Sequence, residues 1–212
     1  MNEDNLSNDN RAEALDERTI ERDPIRLFQA WFEQAVAAHL PLPEAMTLAT
    51  ATANRKPSAR MVLLKQVDQD GFVFYTNYHS AKARDLDENP QAALVFYWAT
   101  LEHQVRVEGR VRRTSATESG DYFSTRPRES QIGAWASPQS DVISDRQVLE
   151  QRKREYEELY RDRDVACPEY WGGYRLVPDR IEFWKGRVGR LHDRILYERQ
   201  DDGSWRISRL AP

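Results

Sequence analysis

The chain has 212 residues, of which 40% are hydrophobic and 31% charged, and its formal net charge is −4 at pH 7. This balance predicts a soluble globular protein with one sizeable domain and disfavours a nucleic-acid-binding protein, which usually carries a basic excess. The single cysteine, Cys167, excludes an internal disulfide and a Cys-x-x-Cys metal site. We find no signal peptide and no apolar run of roughly 20 residues, so we expect a cytoplasmic protein without a membrane span.

The N-terminal 22 residues are polar and acidic and include no aromatic side chain. This composition predicts a mobile arm over 1–22, followed by one domain over 23–212. Asp23 and Pro24 provide an N-cap and a proline at the first helical position. Apolar residues then recur at helical spacing, which predicts an amphipathic helix over 24–39.

The rest of the chain predicts mainly strands, because β-branched and aromatic runs are separated by turn residues. We place strands at 45–53, 58–67, 72–76, 92–99, 104–113, 173–185, 191–199 and 204–209. Helices are expected at 80–88, 115–125 and 128–136, and a last one runs from a capping box of Ser144 and Gln147 to about Tyr160. Since helices and strands do not alternate as in a doubly wound sheet, we expect a mainly β (α+β) fold, an antiparallel barrel with peripheral helices.

Four clusters of polar and aromatic residues are candidates for a binding site. The first is the segment from Arg60 to Lys65, in which a cation stands at each end of an apolar run. The two positions differ in parity, so a regular strand points them to opposite faces, where they serve different groups. Two solvated strand ends are the alternative interpretation.

The second cluster joins Tyr75 and Thr76 at a strand end to Ser80 and Lys82 at a helix start. Hydroxyl groups, backbone N–H groups and a lysine charge at a helix N-terminus are a common combination for binding phosphate. An ordinary helix cap explains the same residues equally well.

The third cluster is formed by Tyr122, Arg126 and Ser130. Tyr122 and Arg126 are four residues apart and therefore share one helix face. Pro127 ends that helix and begins another, which puts Ser130 in a first turn, where the helix dipole favours an anion. A phenol, a guanidinium and a hydroxyl are thus predicted to converge on an anion.

The fourth cluster contains Arg190, His192 and Arg194, which share one face of a predicted strand. Three potentially cationic groups side by side repel one another, so a site for an anion or an electron-rich ring explains them better than a structural role. Trp184 is a candidate aromatic wall for this site, and a position in the core is an equal alternative.

Other catalytic chemistries find little support. The sequence has no Gly-rich phosphate loop, no G-x-S-x-G motif and no metal-ligand spacing among its four histidines. Cys167 has no obvious histidine partner. A phosphate-rich site with neither a nucleophile nor a metal indicates that a bound cofactor does the chemistry.

Six segments together resemble the pyridoxine 5'-phosphate oxidase family: RMVLLK, FYTNYHSAKA, EHQVRVEG, YFSTRPRESQIGAWASPQS, YWGGYRLVPDRIEFW and RLHDRILY. The resemblance runs from about Asp23 to the final RLAP. It implies a split β-barrel and a homodimer with FMN at the subunit interface, so that each site uses residues of both chains. It also implies oxidation of pyridoxine or pyridoxamine 5'-phosphate by O2 to pyridoxal 5'-phosphate, with H2O2 as by-product and NH3 released from the amine.

The same resemblance implies roles for individual residues. The FMN contacts are Arg60, Met61, Val62, Leu63, Leu64, Lys65, Tyr75, Thr76, Lys82, Gln104, Gln139, Ser140, Trp184 and Arg194. The substrate phosphate is held by Lys65, Tyr122, Arg126 and Ser130. Arg190 and His192 are the catalytic residues over the substrate ring, with Leu191 between them as a binding residue.

Three features depart from the family pattern. Ala81 stands where an arginine often precedes the lysine, and the acidic arm lacks the tyrosine and the matching arginine that often close over the substrate. Leu42 stands where an acidic residue often precedes the proline at position 43. Three other functions stay open: a related flavin enzyme such as a phenazine-pathway oxidase, a non-catalytic FMN or pyridoxal-phosphate carrier, and a basic-patch nucleic-acid protein. Reduction of the bound flavin by substrate without air distinguishes an oxidase from a carrier.

Overall fold

The computed structural model describes residues 14–212. The helices are α1 (Pro24–Ala37), α2 (Ala81–Glu88), α3 (Ala116–Thr125), α4 (Arg128–Ala136) and α5 (Arg146–Leu159). The strands are β1 (Ala45–Ala51), β2 (Pro57–Leu63), β3 (Gln66–Asp68), β4 (Gly71–Asn77), β5 (Gln91–Trp98), β6 (His103–Arg113), β7 (Trp171–Lys185), β8 (Asp193–Arg199) and β9 (Trp205–Arg209). Within this range we find no helix that is both long enough and apolar enough to cross a bilayer.

The strands form one antiparallel sheet in the order β2-β1-β5-β6-β7-β4-β3, which β8 and β9 extend beside β7. Strand β6 pairs along one edge of β7. The other edge is shared between β4, which pairs with 171–176, and β8, which pairs with 180–185. The sheet therefore divides at the middle of β7 and, with the usual strand twist, curls into a half-barrel. This arrangement confirms the predicted antiparallel barrel with peripheral helices.

The hydrophobic core fills the inside of the curled sheet. In β6, Val105 and Val107 are fully buried while the intervening residues lie on the opposite face, as the period of two predicts. Helix α1 covers the core with Phe28, whose ring centroid lies 4.9 Å from that of Phe72 and 4.8 Å from that of Phe96. Full burial of each such side chain contributes about 1.5–3 kcal/mol.

The helix starts agree with the predictions at α1 but not at α5. Asp23 caps α1, since its carboxylate accepts the backbone N–H of Ile25 at 2.9 Å. Helix α5 begins at Arg146 and is capped by Asp145, whose Oδ1 accepts the N–H of Gln147 at 2.7 Å. The capping box at Ser144 is therefore wrong, because a carboxylate one residue later makes the same hydrogen bond and also interacts favourably with the helix dipole.

The single strand predicted over 58–67 is interrupted. Strand β2 ends at Leu63, and the next two residues bond to different parts of the sheet. The N–H of Leu64 donates to the carbonyl of Glu44 at 2.9 Å, and that of Lys65 donates to the carbonyl of Val73 at 2.8 Å. The chain passes here from the β1 side of the barrel to the β4 side, and this transfer requires a break in the regular strand.

The segment that precedes α1 packs against the end of the chain. Residues 1–13 lie outside the described residues, so the predicted mobile arm is described only from residue 14. Leu15 and Ile20 are partly buried against the core. Tyr197 donates its hydroxyl hydrogen to the carbonyl of Glu21 at 2.6 Å. The division into an arm and a domain at residue 23 stays a prediction.

His103 is a buried histidine whose two ring nitrogens have no hydrogen-bond partner among residues 14–212. Its ring stacks on that of Trp31 with centroids 3.9 Å apart. Burial, and then the charge of Lys185, lower the pKa of His103 from 6.5 to about 4. The unfolded chain binds a proton at this histidine below about pH 6.5, whereas the folded protein binds it only near pH 4. The free energy of unfolding therefore falls as the pH drops from about 6.5 towards 4.

We expect His103→Phe to remove this part of the pH dependence. When the pH is lowered from 8 to 5, the unsubstituted protein should lose about 1–2 kcal/mol more unfolding free energy than the variant. Urea denaturation at the two pH values measures the difference. The exposed histidine His39 provides the control, since His39→Asn should leave the pH dependence unchanged. An equal loss of stability at pH 5 with and without His103 would contradict the assignment.

Candidate active site

A cavity of about 470 Å³ lies between β2, β4, the corner of α3 and α4, and the start of β7. Its lining includes three cations, Lys65, Lys82 and Arg126, and no carboxylate among the described residues. The other lining residues are Met61, Val62, Leu63, Tyr75, Thr76, Asn77, Tyr122, Ser130, Gly133, Ala134, Ser137, Gln139 and Trp171. The volume is typical of small-molecule sites, and the positive charge favours an anionic ligand.

Three nearly parallel aromatic rings form one wall of the cavity. Tyr75 stacks on Tyr122 with centroids 4.0 Å apart, and on Trp171 with centroids 5.4 Å apart. Burial is the main reason that the pKa of Tyr75 is raised to about 12, so its hydroxyl stays protonated at neutral pH. The stacked rings connect β4, α3 and β7 and present a rigid flat surface to a ligand.

Arg126 follows the last residue of α3 and lies over the ring of Trp171, with its guanidinium carbon 4.6 Å from the ring centroid. Its Nη1 atom is buried and has no hydrogen-bond partner in the described part of the chain. Burial lowers the pKa of Arg126 below its ordinary value. Burying a guanidinium nitrogen without a hydrogen-bond partner destabilises the folded protein, and a hydrogen bond to an anion in the cavity would offset this loss of free energy.

The cavity brings together all three residues of the third cluster, Tyr122, Arg126 and Ser130. Pro127 precedes α4 as its N-cap, and Ser130 lies in the first turn, as predicted. The N–H of Ser130 donates to the carbonyl of Pro127 at 2.8 Å, so its hydroxyl is the group that can reach an anion. The convergence on one cavity is confirmed, while the binding of a phosphate there stays a prediction.

Lys82 forms a second cationic point of the cavity. It is buried in the first turn of α2, and its Nζ donates to Thr76 Oγ1 at 3.1 Å and to Ser80 Oγ at 3.3 Å. The Thr76 hydroxyl donates in turn to Gln139 Oε1 at 2.9 Å. Burial, and then the charge of Arg60, lower the pKa of Lys82 to about 8. An ammonium surrounded by hydroxyl groups in this way suits a phosphate.

The two cations of the first cluster contact different groups. Lys65 lines the cavity. Arg60 does not line it, because its Nη1 donates to Thr50 Oγ1 at 2.6 Å and its Nη2 lies 3.4 Å from Asp85 Oδ2. Leu64, between the two, is buried in the hydrophobic core. Contact of Arg60 and Leu64 with a cofactor stays a prediction.

A second group of predicted site residues lies elsewhere on the sheet. Gln104, Trp184 and Arg194 stand directly opposite one another on β6, β7 and β8 and therefore share one face. The His192 ring lies beside Trp184, with centroids 4.7 Å apart. Nε of Arg194 donates to Glu182 Oε1 at 2.8 Å, which fixes the arginine along the sheet.

The prediction that Arg190, His192 and Arg194 share one face of a strand is wrong, because β8 begins only at Asp193. Arg190 lies in a short 3₁₀ turn between β7 and β8, with a φ of 61°. Gly189 before it has a φ of 73°, so the reversal of the chain requires two successive left-handed residues. Arginine adopts this conformation at a cost of about 1–3 kcal/mol, and such strain is concentrated at functional sites.

The second group is separate from the cavity within one chain. Trp171 lines the cavity at the start of β7, whereas Trp184 lies roughly 40 Å farther along the strand at about 3.3 Å per residue. Ser140 follows the lining residue Gln139 with a φ of 78° but does not line the cavity itself. The predicted site residues outside the cavity are Arg60, Leu64, Gln104, Ser140, Trp184, Arg190, Leu191, His192 and Arg194.

The sequence patterns give no sign of several lining residues, namely Asn77, Gly133, Ala134 and Ser137. Trp171 is marked only by the two glycines that follow it. A Cβ on Gly172 would lie 2.1 Å from Tyr78 Oη, and one on Gly173 would lie 2.6 Å from Thr114 Oγ1. The glycine pair therefore lets neighbouring elements close tightly around the start of β7.

The geometry of the cavity alone allows several kinds of anionic ligand, so we compared the sequence with known protein families. Residues 32–160 match the family model described as pyridoxamine 5'-phosphate oxidase, and residues 171–212 match the model described as pyridoxine 5'-phosphate oxidase C-terminal dimerisation region. The chain belongs to the pyridoxamine 5'-phosphate oxidase family. The family supports an oxidoreductase that binds a flavin, and the dimerisation region includes Trp184, His192 and Arg194 of the second group but not Gln104.

Relatives in this oxidase family match nearly the whole chain. A pyridoxine/pyridoxamine 5'-phosphate oxidase of Trichormus variabilis is 55% identical over 98% of this chain and 97% of its own length. One of Paraburkholderia xenovorans is 58% identical over 94% of this chain and 93% of its own length. Among solved structures, PhzG from Burkholderia lata 383 in complex with tetrahydrophenazine-1-carboxylic acid has a TM-score of 0.89 and 30% identity, and the match covers 95% of this chain and 100% of that one. A pyridoxamine 5'-phosphate oxidase-related, FMN-binding protein of Nostoc punctiforme has a TM-score of 0.72, 19% identity and coverage of 91% and 100%, and it shares the fold.

Proposed function

We propose that this oxidase-family chain converts pyridoxine 5'-phosphate or pyridoxamine 5'-phosphate to pyridoxal 5'-phosphate in the cytoplasm, with FMN as cofactor and O2 as final electron acceptor. The products also include H2O2 and, from the amine, NH3. The observation that carries the proposal is a cavity with three cations, in which Nη1 of Arg126 is buried without a partner among the described residues. When bound, FMN supplies the hydride acceptor, while the protein binds and orients the reactants.

Separate cations support two phosphate sites, one for the substrate and one for FMN. Arg126 and Ser130, together with Lys65, are assigned to the substrate phosphate, because the planar guanidinium binds two phosphate oxygens at once. Lys82 and Thr76 are assigned to the FMN phosphate at the junction of β4 and α2. The hydroxyl ligands that now hold Lys82 are replaced or joined by phosphate oxygens when the cofactor binds.

A second copy of the chain is proposed to complete each site. The region described as a dimerisation region contains Trp184, Arg190 and His192, which lie apart from the cavity of their own chain. Supplied by the partner subunit, these groups would face the cavity, where Arg190 and His192 orient the substrate ring. Orientation of this kind accounts for a large part of the rate in reactions between bound partners.

The surface next to the cavity suits such a partner. A separate groove of about 320 Å³ lies beside it, and Met61 lines both. Leu42, Met61 and Tyr97 are 63%, 62% and 61% exposed, an unusual exposure for large apolar side chains so close together. Burying them against a second copy would remove apolar surface from water and place the partner at the mouth of the cavity.

Mixing two weakly active variants tests the shared site. Arg126→Leu damages the cavity and Arg190→Leu damages the second group, so at a substrate concentration no higher than the KM of the unsubstituted protein each homodimer should keep only about 1–2% of the activity. After the two are unfolded together and refolded, half of the dimers are mixed, and each mixed dimer has one undamaged site, so about one quarter of the activity should return. No recovery from a mixture that has formed mixed dimers would show that each site lies within one chain.

Aerobic turnover tests the reaction itself. The FMN-loaded protein should form pyridoxal 5'-phosphate and H2O2 in equal amounts from pyridoxine 5'-phosphate, followed by chromatography and a coupled peroxide assay. Unphosphorylated pyridoxine is the matched control and should react far more slowly, because the cations of the cavity have no phosphate to bind. A yellow protein that makes no product from either phosphorylated substrate, with no flavin reduction in the absence of air, would favour a carrier.

The similarity to PhzG supports a second candidate, oxidation of a reduced phenazine carboxylate. A carboxylate also suits Arg126, but it leaves one of the remaining cations of the cavity without an anion. Turnover of tetrahydrophenazine-1-carboxylic acid without turnover of either phosphorylated substrate would favour this candidate over the first.

Lys82 is expected to favour cofactor binding at the expense of stability. Burial lowers the pKa of Lys82 to about 8, which shows that the charged ammonium is destabilised in the FMN-free protein. Lys82→Met should therefore raise the melting temperature of the FMN-free protein by a few degrees. The same variant should bind FMN at least about 10-fold more weakly, since the ion pair with the phosphate is lost. Thermal melts with and without FMN measure both effects. The exposed Lys56 is the control, and Lys56→Met should change neither quantity.

A further inference from the structure

Asp193, the first residue of β8, is a buried carboxylate on which three separate parts of the chain converge. It accepts Nε of Arg187 at 2.8 Å, Nη1 of Arg209 at 2.9 Å and the backbone N–H of Leu15 at 3.2 Å. Arg209 also pairs with Glu17 at 2.7 Å, so the segment before α1 is fixed to the same point. Burial opposes ionisation, but the hydrogen bonds from Arg209, Leu15 and Arg187 keep the pKa of Asp193 below its ordinary value.

Asp193 also closes the turn that carries the catalytic candidates. It stands opposite Lys185 in the β7–β8 ladder, so the turn spans residues 186–192. Arg187, second in this turn, makes two contacts with its far end. Its side chain pairs with Asp193, and its backbone N–H donates to Nδ1 of His192 at 3.1 Å. The Asp193 carboxylate therefore fixes Arg187, and the backbone N–H of Arg187 in turn binds the His192 ring.

The hydrogen bond from Arg187 determines which nitrogen of His192 carries the proton. A nitrogen that accepts an N–H must present its lone pair, so in the neutral ring the proton is on Nε2. Trp184 packs beside the ring, with centroids 4.7 Å apart. In its neutral form His192 therefore presents Nε2–H as a hydrogen-bond donor.

We propose that Asp193 is a positioning residue: through Arg187 it holds His192 in the Nε2–H tautomer and fixes the strained turn that bears Arg190. The consequence for turnover rests on the proposed function. His192 then acts on the substrate ring as a donor that fixes its orientation, and removal of a proton by Nε2 is not its role. Asp193 acts through Arg187, so its loss should affect turnover more than substrate or cofactor binding.

NMR spectroscopy of the histidine ring nitrogens tests the tautomer independently of enzyme activity. Long-range ¹H–¹⁵N spectra of the holoprotein labelled with ¹⁵N-histidine show the protonation of each ring, and His192→Gln identifies the signals of His192. We expect the Nε2–H tautomer alone in the unsubstituted protein and a mixture of tautomers in Asp193→Asn. A proton on Nδ1 in the unsubstituted protein would overturn the inference.

Steady-state kinetics test the consequence for the reaction. Asp193→Asn should lower kcat about 10-fold, with KM within about twofold and FMN content unchanged. Arg187→Met breaks the same link from its more exposed end and should give the same pattern, which guards against a folding defect of the first variant. The control is Glu198→Gln, the same chemical change in a carboxylate of β8 that pairs with Arg206 at 2.7 Å.

The outcomes separate this inference from the proposed function. If both link variants keep the kcat and the histidine spectrum of the unsubstituted protein, Asp193 does not position His192. If the unsubstituted protein oxidises neither phosphorylated substrate, the proposed function fails, and the spectra alone decide the tautomer and its dependence on Asp193.

Discussion

Arg190→Leu is expected to lower kcat by about 100-fold or more while the FMN content stays unchanged. Arg190 lies at the tip of a strained turn, exposed in the single chain and apart from the cavity that is assigned to the phosphates. Its guanidinium is proposed to lie over the substrate ring, where it contributes orientation and charge but no contact with the FMN phosphate. Initial rates of H2O2 formation give kcat, and the flavin absorbance after gel filtration gives the bound FMN.

The control for this variant is another exposed arginine of the same strand pair. Arg199 lies at the end of β8, and Arg199→Leu should leave both kcat and FMN content unchanged. Equal losses of turnover and FMN in Arg190→Leu would show that Arg190 supports the cofactor site and would argue against a role over the substrate ring.

Arg126→Leu is expected to raise the KM for pyridoxine 5'-phosphate by about 100-fold with little change in kcat. A hydrogen bond between charged groups contributes about 1.5–3 kcal/mol, and loss of a two-pronged contact to phosphate weakens ground state and transition state alike. The substrate-free protein should not lose stability, because the variant removes a buried nitrogen that lacks a partner within residues 14–212. Substrate saturation curves and thermal melts of the same preparations measure the two effects.

Two substitutions and one substrate define the controls for Arg126. Arg126→Lys keeps the charge but not the planar fork and should give an intermediate KM. Arg146, an exposed arginine that pairs with Glu150 on α5, can be replaced by leucine without effect on KM. The slow turnover of unphosphorylated pyridoxine should be equal in Arg126→Leu and the unsubstituted protein. An unchanged KM for the phosphorylated substrate would show that its phosphate binds elsewhere.

Local patterns in the sequence determined most elements of the fold. Alternation of valines with charged residues places Val105 and Val107 inside the barrel, because strand geometry allows no other period. The spacing of Tyr122, Arg126 and Ser130 across Pro127 likewise predicts their convergence, since a helix, a proline break and a new first turn fix the relative directions of the three side chains. In such cases the interactions that decide the structure lie within a few residues.

Contacts between distant parts of the chain decided what the sequence could not. The break after Leu63 follows from closure of the barrel between β1 and β4, and the pairing of Arg60 with Asp85 depends on where α2 packs. The turn around Arg190 replaces a regular strand because β8 can pair with β7 only from Asp193 onward. Trp171 reaches the cavity because β7 spans the whole sheet, and the same length separates it from Trp184. The sequence by itself therefore determined the elements and the types of site residue. Tertiary pairing decided which of these residues share the cavity and which lie apart from it, because the distances between them depend on long-range register that no local pattern contains.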